Sequence, residues 1–195
     1  MSTVETKGNG RGGLIGLIVV AVITAAALII GNQYVGGAGA EGQQPGASSS
    51  VDVAGAGRVP SPGERAPALV GASLDGTFDL AKTGKPTWIV FMASWCQQCR
   101  VEAPDVQAAA LARDDVEVVG VYLGEDEETV RAYNDRLGLT FAAVPDESQE
   151  LAAAYGVRAI PAHYFVDADG TVRELAFGAL SADAIDGHLD RLVGR

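Results

Sequence analysis

Two cysteines, Cys96 and Cys99, are all that the 195 residues contain. That excludes a multi-bridge disulfide scaffold and a four-cysteine zinc site. The two histidines, His163 and His188, lie 25 residues apart, a spacing that does not complete a metal site with the cysteines. Basic residues are scarce, with 14 Lys plus Arg against 25 Asp plus Glu and a formal net charge of −11. So acidic a chain repels phosphate backbones, which argues against a nucleic-acid partner. Internal repeats are absent. What remains is 48% hydrophobic and 20% charged, enough apolar material for a packed core. The length suits one domain with appendages.

Charge is missing altogether between Arg11 and Glu41, and Leu14 to Ile30 is almost purely apolar. That run is at the short end of a membrane-spanning helix, and Gly12, Gly13 and Gly31 can extend it. Lys7 and Arg11 precede it, so the positive-inside bias places residues 1–11 in the cytoplasm and the chain from residue 32 outside. We therefore expect an anchor over 12–31, a single pass through the cell membrane. A signal sequence cleaved after Ala38-Gly39-Ala40 is the alternative, although the apolar run exceeds the usual signal core. No cysteine lies near the end of the segment, so lipid attachment there is excluded. Residues 32–65 are rich in Gly, Ala, Ser and Pro without helical or strand periodicity, and read as a flexible linker.

Residues 66–195 read as the folded domain. Thr87–Met92 and Val116–Leu123 are continuous apolar runs suited to strands buried on both faces. Residues 97–113, Glu127–Leu137, Gln149–Tyr155 and a stretch capped by Ser181 and running to Val193 read as helices. Asp75-Gly76 and Asp169-Gly170 mark hairpin turns, the second between Ala162–Val166 and Thr171–Ala176. Phe141–Val144 is a further short strand. This order predicts an α/β fold with a central mixed β-sheet flanked by helices on both faces.

The chemistry is concentrated in Trp95-Cys96-Gln97-Gln98-Cys99, directly after a buried strand and at the start of a helix. A three-residue spacing puts both sulfurs on one side of the first helical turn, within bridging reach. Unpaired N–H groups and the helix dipole stabilise a thiolate on the first cysteine. Cys96 is then the nucleophile and Cys99, one turn in, the resolving thiol. Two unrelated core cysteines, or a structural staple, are the bland alternatives; so short a loop gains little from cross-linking.

Val90 to Pro104 (VFMASWCQQCRVEAP) resembles the active-site stretch of the thioredoxin superfamily, and within it the TlpA/ResA-like membrane-anchored thiol-disulfide oxidoreductases. Val118–Val121, Tyr155–Pro161 and Tyr164–Gly170 resemble that family's second core strand, the approach to its cis-proline and the hairpin that follows. The resemblance spans roughly residues 63–195. It implies a thioredoxin-like fold, thiol-disulfide exchange with protein substrates and no bound cofactor. Apocytochrome c is one substrate it allows, through a role in cytochrome c maturation, with a membrane electron donor as second partner. The sequence departs from the pattern in three places. Gln97-Gln98 replaces a dipeptide that usually carries proline, Ala162-His163 stands where two small hydroxyl residues are common, and Val90 occupies the place of the buried acid of thioredoxin.

The resemblance also implies roles around the cysteines. Glu102 matches an acid three residues after the second cysteine and could pass a proton to or from Cys99; the plain alternative is an acidic residue favoured near a helix N-terminus. Pro161, in cis, would leave a smooth face opposite the sulfurs, and Ile160 would offer its N–H and C=O to an extended substrate. Trp95 is expected to shield the sulfurs or to sit in the core. His163 reads as a locally satisfied strand residue, His188 as surface, and Glu125–Glu128 as a solvated helix start. Two other classes remain open: a thiol peroxidase of the redoxin type, and a non-catalytic membrane-tethered binding module.

Overall fold

A computed structural model describes residues 46–195; the expected anchor over 12–31 and the first part of the linker lie outside the described residues. Five strands form the central sheet: β4 (Thr87–Met92), β5 (Glu117–Leu123), β6 (Ala142–Asp146), β8 (Ala162–Val166) and β9 (Val172–Phe177). Their spatial order is β6-β5-β4-β8-β9, with β4, β5 and β6 parallel and β8 and β9 antiparallel to their neighbours. Every residue of β4 and β8 is buried, so both faces of the sheet centre are covered, as their unbroken apolar runs require. Two small ribbons lie beside the sheet. One pairs β2 (Val70–Ser73) with β3 (Gly76–Asp79); the other pairs β1 (Ser49–Ser50) with β7 (Ala159–Ile160).

Four helices complete the domain: α1 (Gln97–Ala112), α2 (Glu127–Leu137), α3 (Glu150–Ala154) and α4 (Ala182–Val193). Helix α1 buries Cys99, Glu102, Ala103, Val106 and Ala109, a stripe at three- and four-residue spacing that includes the second cysteine and its nearest acid. Helices α2 and α4 begin at Asp126 and Ser181, whose side chains accept from the N–H groups of Thr129 and Ala184. The core holds a triad of Phe91, Tyr155 and Tyr164 with centroid separations of 5.0–5.5 Å. The Tyr155 hydroxyl donates to the Pro67 carbonyl at 2.8 Å, and the Tyr164 hydroxyl to the Tyr155 carbonyl at 2.9 Å, so the two phenols of this triad are satisfied by backbone.

The expectation of a loose linker up to residue 65 needs correction over 46–65. Ser49 and Ser50 pair with Ile160 and Ala159, Val53 is buried, and the Gly57 N–H donates to the Ala153 carbonyl at 2.8 Å. Further on, the Gly63 N–H donates to Val172 and the Val172 N–H to Glu64, both at 2.8 Å. Composition misled here because small residues carry no periodic signal, yet their backbone can follow an existing edge closely. Gly156, with φ of +67°, shows how closely: a Cβ there would come within 2.8 Å of the Gly57 carbonyl oxygen.

Candidate active site

Strand β4 ends at Met92 and the chain turns through Ala93–Trp95 into α1, which brings Cys96 to the helix N-cap. The cysteines are joined as a disulfide with their Cα atoms 5.3 Å apart. The Cys99 N–H points at Cys96 Sγ across 3.2 Å, the unpaired first-turn donor expected to favour a thiolate there. The Ile160 carbonyl oxygen lies 3.9 Å from the same sulfur, and the Ile160–Pro161 peptide bond is cis. Pro161 and Ile160 are both buried beside the disulfide, on the loop that leads into β8. Cys96 is itself only 1% exposed, and Ser49 of the N-terminal segment lies near it with Oγ 3.9 Å from Sγ.

On the interior side, Glu102 is 1% exposed and one helical turn beyond Cys99. Its Oε1 accepts the Leu180 N–H at 2.8 Å and lies 3.4 Å from His163 Nε2. Burial pushes the carboxyl up to about 8; the Leu180 N–H opposes that rise, and Asp105 adds to it. His163, fully buried on β8 as the cross-strand partner of Val90, is pushed down to about 3 by burial, with the Gly178 carbonyl opposing and His188 reinforcing. Near neutral pH the two are therefore uncharged. The Gly178 carbonyl, 3.2 Å from Nε2, can only accept, so Nε2 carries the proton and Nδ1 is left without a hydrogen-bond partner. His163 is thus satisfied at one nitrogen only, and it stands against the acid named from the sequence, beside the position where thioredoxin buries its own.

Three readings of single residues change. Trp95 is 53% exposed, which excludes a place in the core. His188 stacks on Phe165 at 4.6 Å between ring centroids and holds Glu174 at 2.5 Å through Nδ1, a half-buried position rather than free surface. Glu125 is not part of a solvated run. It is 6% exposed and accepts from the Ser94 N–H at 2.9 Å and from the Ser94 hydroxyl. Ser94 was not singled out from the sequence, and Glu125 only as part of a solvated helix start. The signal was available: parallel strands β4 and β5 end together, with Met92 level with Tyr122, so residues just past both ends must meet.

Among the described residues, no cluster of His, Cys, Asp and Glu is arranged to hold a metal ion, and no helix is long and apolar enough to cross a membrane.

A Cys-x-x-Cys disulfide at the start of a helix, facing a cis-proline loop on a five-stranded mixed sheet, defines a thioredoxin-like protein. Residues 62–175 match the AhpC/TSA family, and the chain belongs to that family. It is 30% identical over 111 residues to the thiol-disulfide oxidoreductase ResA of Geobacillus thermodenitrificans, covering 56% of this chain and 64% of that one, a little under two thirds of its length. It is 28% identical over 136 residues to the thiol:disulfide interchange protein HelX of Rhodobacter capsulatus, covering 67% of this chain and 76% of HelX. Among solved structures, StoA of Bacillus subtilis aligns with a TM-score of 0.58 at 25% identity, over 66% of this chain and 99% of StoA. A thioredoxin-family thiol:disulfide interchange protein of Chlorobium tepidum aligns with a TM-score of 0.62 at 26% identity, over 70% and 100%.

Proposed function

We propose that this chain is a membrane-anchored extracytoplasmic thiol-disulfide oxidoreductase that exchanges disulfides with protein substrates through Cys96 and Cys99. The observation that carries the reading is the geometry at Cys96 Sγ, which faces a helix-terminal N–H on one side and the cis-proline loop on the other. The similarity to a thiol-disulfide oxidoreductase and to a thiol:disulfide interchange protein supports the same chemistry. In the reduced form the Cys96 thiolate attacks a substrate disulfide, forming one S–S bond and expelling one substrate thiolate. Cys99 then loses its proton and attacks Cys96 Sγ, which closes the internal bridge and releases the second substrate thiolate. Two electrons pass from this protein to the substrate, and a donor must return them.

Glu102 is suited to the proton step. A carboxyl held near 8 is closely matched to an ordinary cysteine thiol at about 8.5, so transfer between them is nearly balanced. Ile160 and Pro161 form the docking edge for substrate backbone, and the exposed ring of Trp95 offers an apolar contact beside it. We assign the anchor to residues 12–31. Apocytochrome c fits as a substrate because its haem-attachment motif, Cys-x-x-Cys-His, can itself oxidise to a disulfide. Peroxidase chemistry is less well supported: Phe91 to Trp95 carries no threonine before Cys96, and Cys96 is bridged to a neighbour three residues away.

The test is a pair of variants in the full chain. Cys99→Ser should accumulate mixed disulfides with substrate proteins, recovered from carbonate-washed membranes and identified by mass spectrometry. Cys96→Ser should trap almost nothing. Efficient trapping by Cys96→Ser would reverse the assignment of the two thiols, and conjugates found only in the soluble fraction would sink the anchor.

A further inference from the structure

In the oxidised form Cys96 is 1% exposed, and one of the segments that lie over its sulfur is specific. After a turn at Gly46, the segment from Ala47 to Val51 runs along the loop that carries the cis-proline, with Ser49–Ser50 as its extended part. The Gly46 N–H donates to the Ala179 carbonyl, the Ala179 N–H to Ala47, and the Val51 N–H to Arg158, each at 2.9 Å. Between these points Ser49 lies opposite Ile160 and Ser50 opposite Ala159, antiparallel. The residues are Ala47, Ser48, Ser49 and Ser50, all small. Ser49 is the one whose side-chain oxygen reaches Cys96 Sγ, at 3.9 Å. Serine differs from cysteine by one atom, oxygen in place of sulfur. Gly178 makes room for the strap: its φ is +81°, and a Cβ there would overlap the Gly46 backbone.

We propose that residues 47–51 are a built-in substrate stand-in: the site takes an extended segment antiparallel to Ala159–Ile160, with its cysteine in the place of Ser49 and small residues beside it, and exchange requires the strap to leave. The substrate half of this statement rests on the exchange reading above; the occlusion does not. Strand addition of this kind draws affinity from backbone hydrogen bonds and selectivity from alternate side chains. Because successive side chains of an extended segment point to opposite sides, Ser48 and Ser50 face away from the sulfur that Ser49 approaches.

Two measurements on the full chain test it. In a Cys99→Ser background, Ser49→Cys is treated with a small-molecule disulfide. Cys96 attacks the reagent and releases one small thiol; the introduced thiol then attacks the Cys96 sulfur and releases the second. The cross-link should form at least about tenfold faster than with Ser48→Cys or Ser50→Cys, whose side chains alternate away. Equal rates at the three positions would overturn the register. Secondly, Val51→Pro removes the donor to Arg158. Alkylation of Cys96 in the same background should then accelerate roughly tenfold, what loss of one backbone hydrogen bond with its attendant clash allows. Unchanged alkylation would overturn the occlusion. If alkylation accelerates while neither the parent chain nor its Val51→Pro variant reduces a protein disulfide, the strap stands and the exchange reading fails instead.

Discussion

Two glutamates flank the redox pair, both nearly sealed from water, and they are furnished differently. Glu125 sits past the end of β5 and takes two donors from a single residue, the N–H and hydroxyl of Ser94, two positions before Cys96. Glu102 sits inside α1 and takes one backbone donor, with a neutral imidazole beside it. A carboxyl with two donors pins the loop that supplies them. A carboxyl with one donor in a dry environment is left holding a proton, and a proton held near 8 is one that can be given up. The same side chain thus fixes geometry on one side of the disulfide and stores a proton on the other.

The largest effect that would break this comparison is on rate. Glu102→Gln keeps the shape and the Leu180 contact but cannot exchange a proton. It should slow closure of the Cys96–Cys99 bridge, in which the ionised fraction of Glu102 takes the Cys99 proton, by about tenfold to a hundredfold at neutral pH, the range for loss of a positioned acid–base group. Stopped-flow oxidation across pH 6–9 should also lose an inflection near pH 8 in the variant. A uniform slowing with the inflection retained would mean that Glu102 only shapes the helix.

Ser94→Ala addresses the other glutamate. It removes one of the two donors and leaves a buried carboxyl oxygen short of a partner, which should cost about 1–3 kcal/mol of stability. At this domain size that is a fall in Tm of roughly 3–9 °C by calorimetry. Trapping of substrates by Cys99→Ser should change less than stability does. A variant with unaltered Tm would remove the loop-pinning role.

The smallest effect concerns the pH dependence of stability. Glu102 keeps its proton in the folded chain up to about 8, whereas the unfolded chain releases it near 4.5, so its contribution falls as pH rises through that window. His163 is neutral when folded down to about 3 but protonated when unfolded below 6.5, so its contribution rises with pH over that range. The two oppose each other between 4.5 and 6.5, and from there to about 8 Glu102 acts alone. Denaturant midpoints of the parent chain should therefore decline from pH 6.5 to 8.5, and Glu102→Gln should flatten that decline. An equal slope in both proteins would place the loss elsewhere.

How far the sequence announced these features depends on whether a residue's role is local. Helix and strand runs such as Thr87–Met92 and Glu127–Leu137 were legible because periodicity and apolar continuity are properties of a short stretch. The Cys-x-x-Cys at a strand-to-helix junction was legible for the same reason. Glu102 could be named from its distance to Cys99 along one helix. His163 could not be tied to Glu102, because they are 61 positions apart and meet only through the packing of α4 and β8 around α1. Ser94 and Glu125 needed the parallel register of β4 and β5. The strap was least legible, since a run of Ala and Ser next to Gly carries the composition of a linker whether or not an edge is waiting for it.

The two-residue pairing between Ser49–Ser50 and Ala159–Ile160 also sets a threshold for any partner. An occupant on the same chain competes at an effective concentration of about millimolar, fixed by the length of chain that joins it to its seat. Every outside partner is diluted by the same factor, since it meets only the fraction of molecules whose edge is vacant. Weak, passing encounters with extended chains then fall below the threshold without any contact designed against them. A segment that binds the edge strongly enough to displace the resident one still reaches the sulfur. Discrimination of this kind belongs to the domain before any partner arrives, and it would persist even if every partner made identical contacts with Trp95 and Pro161.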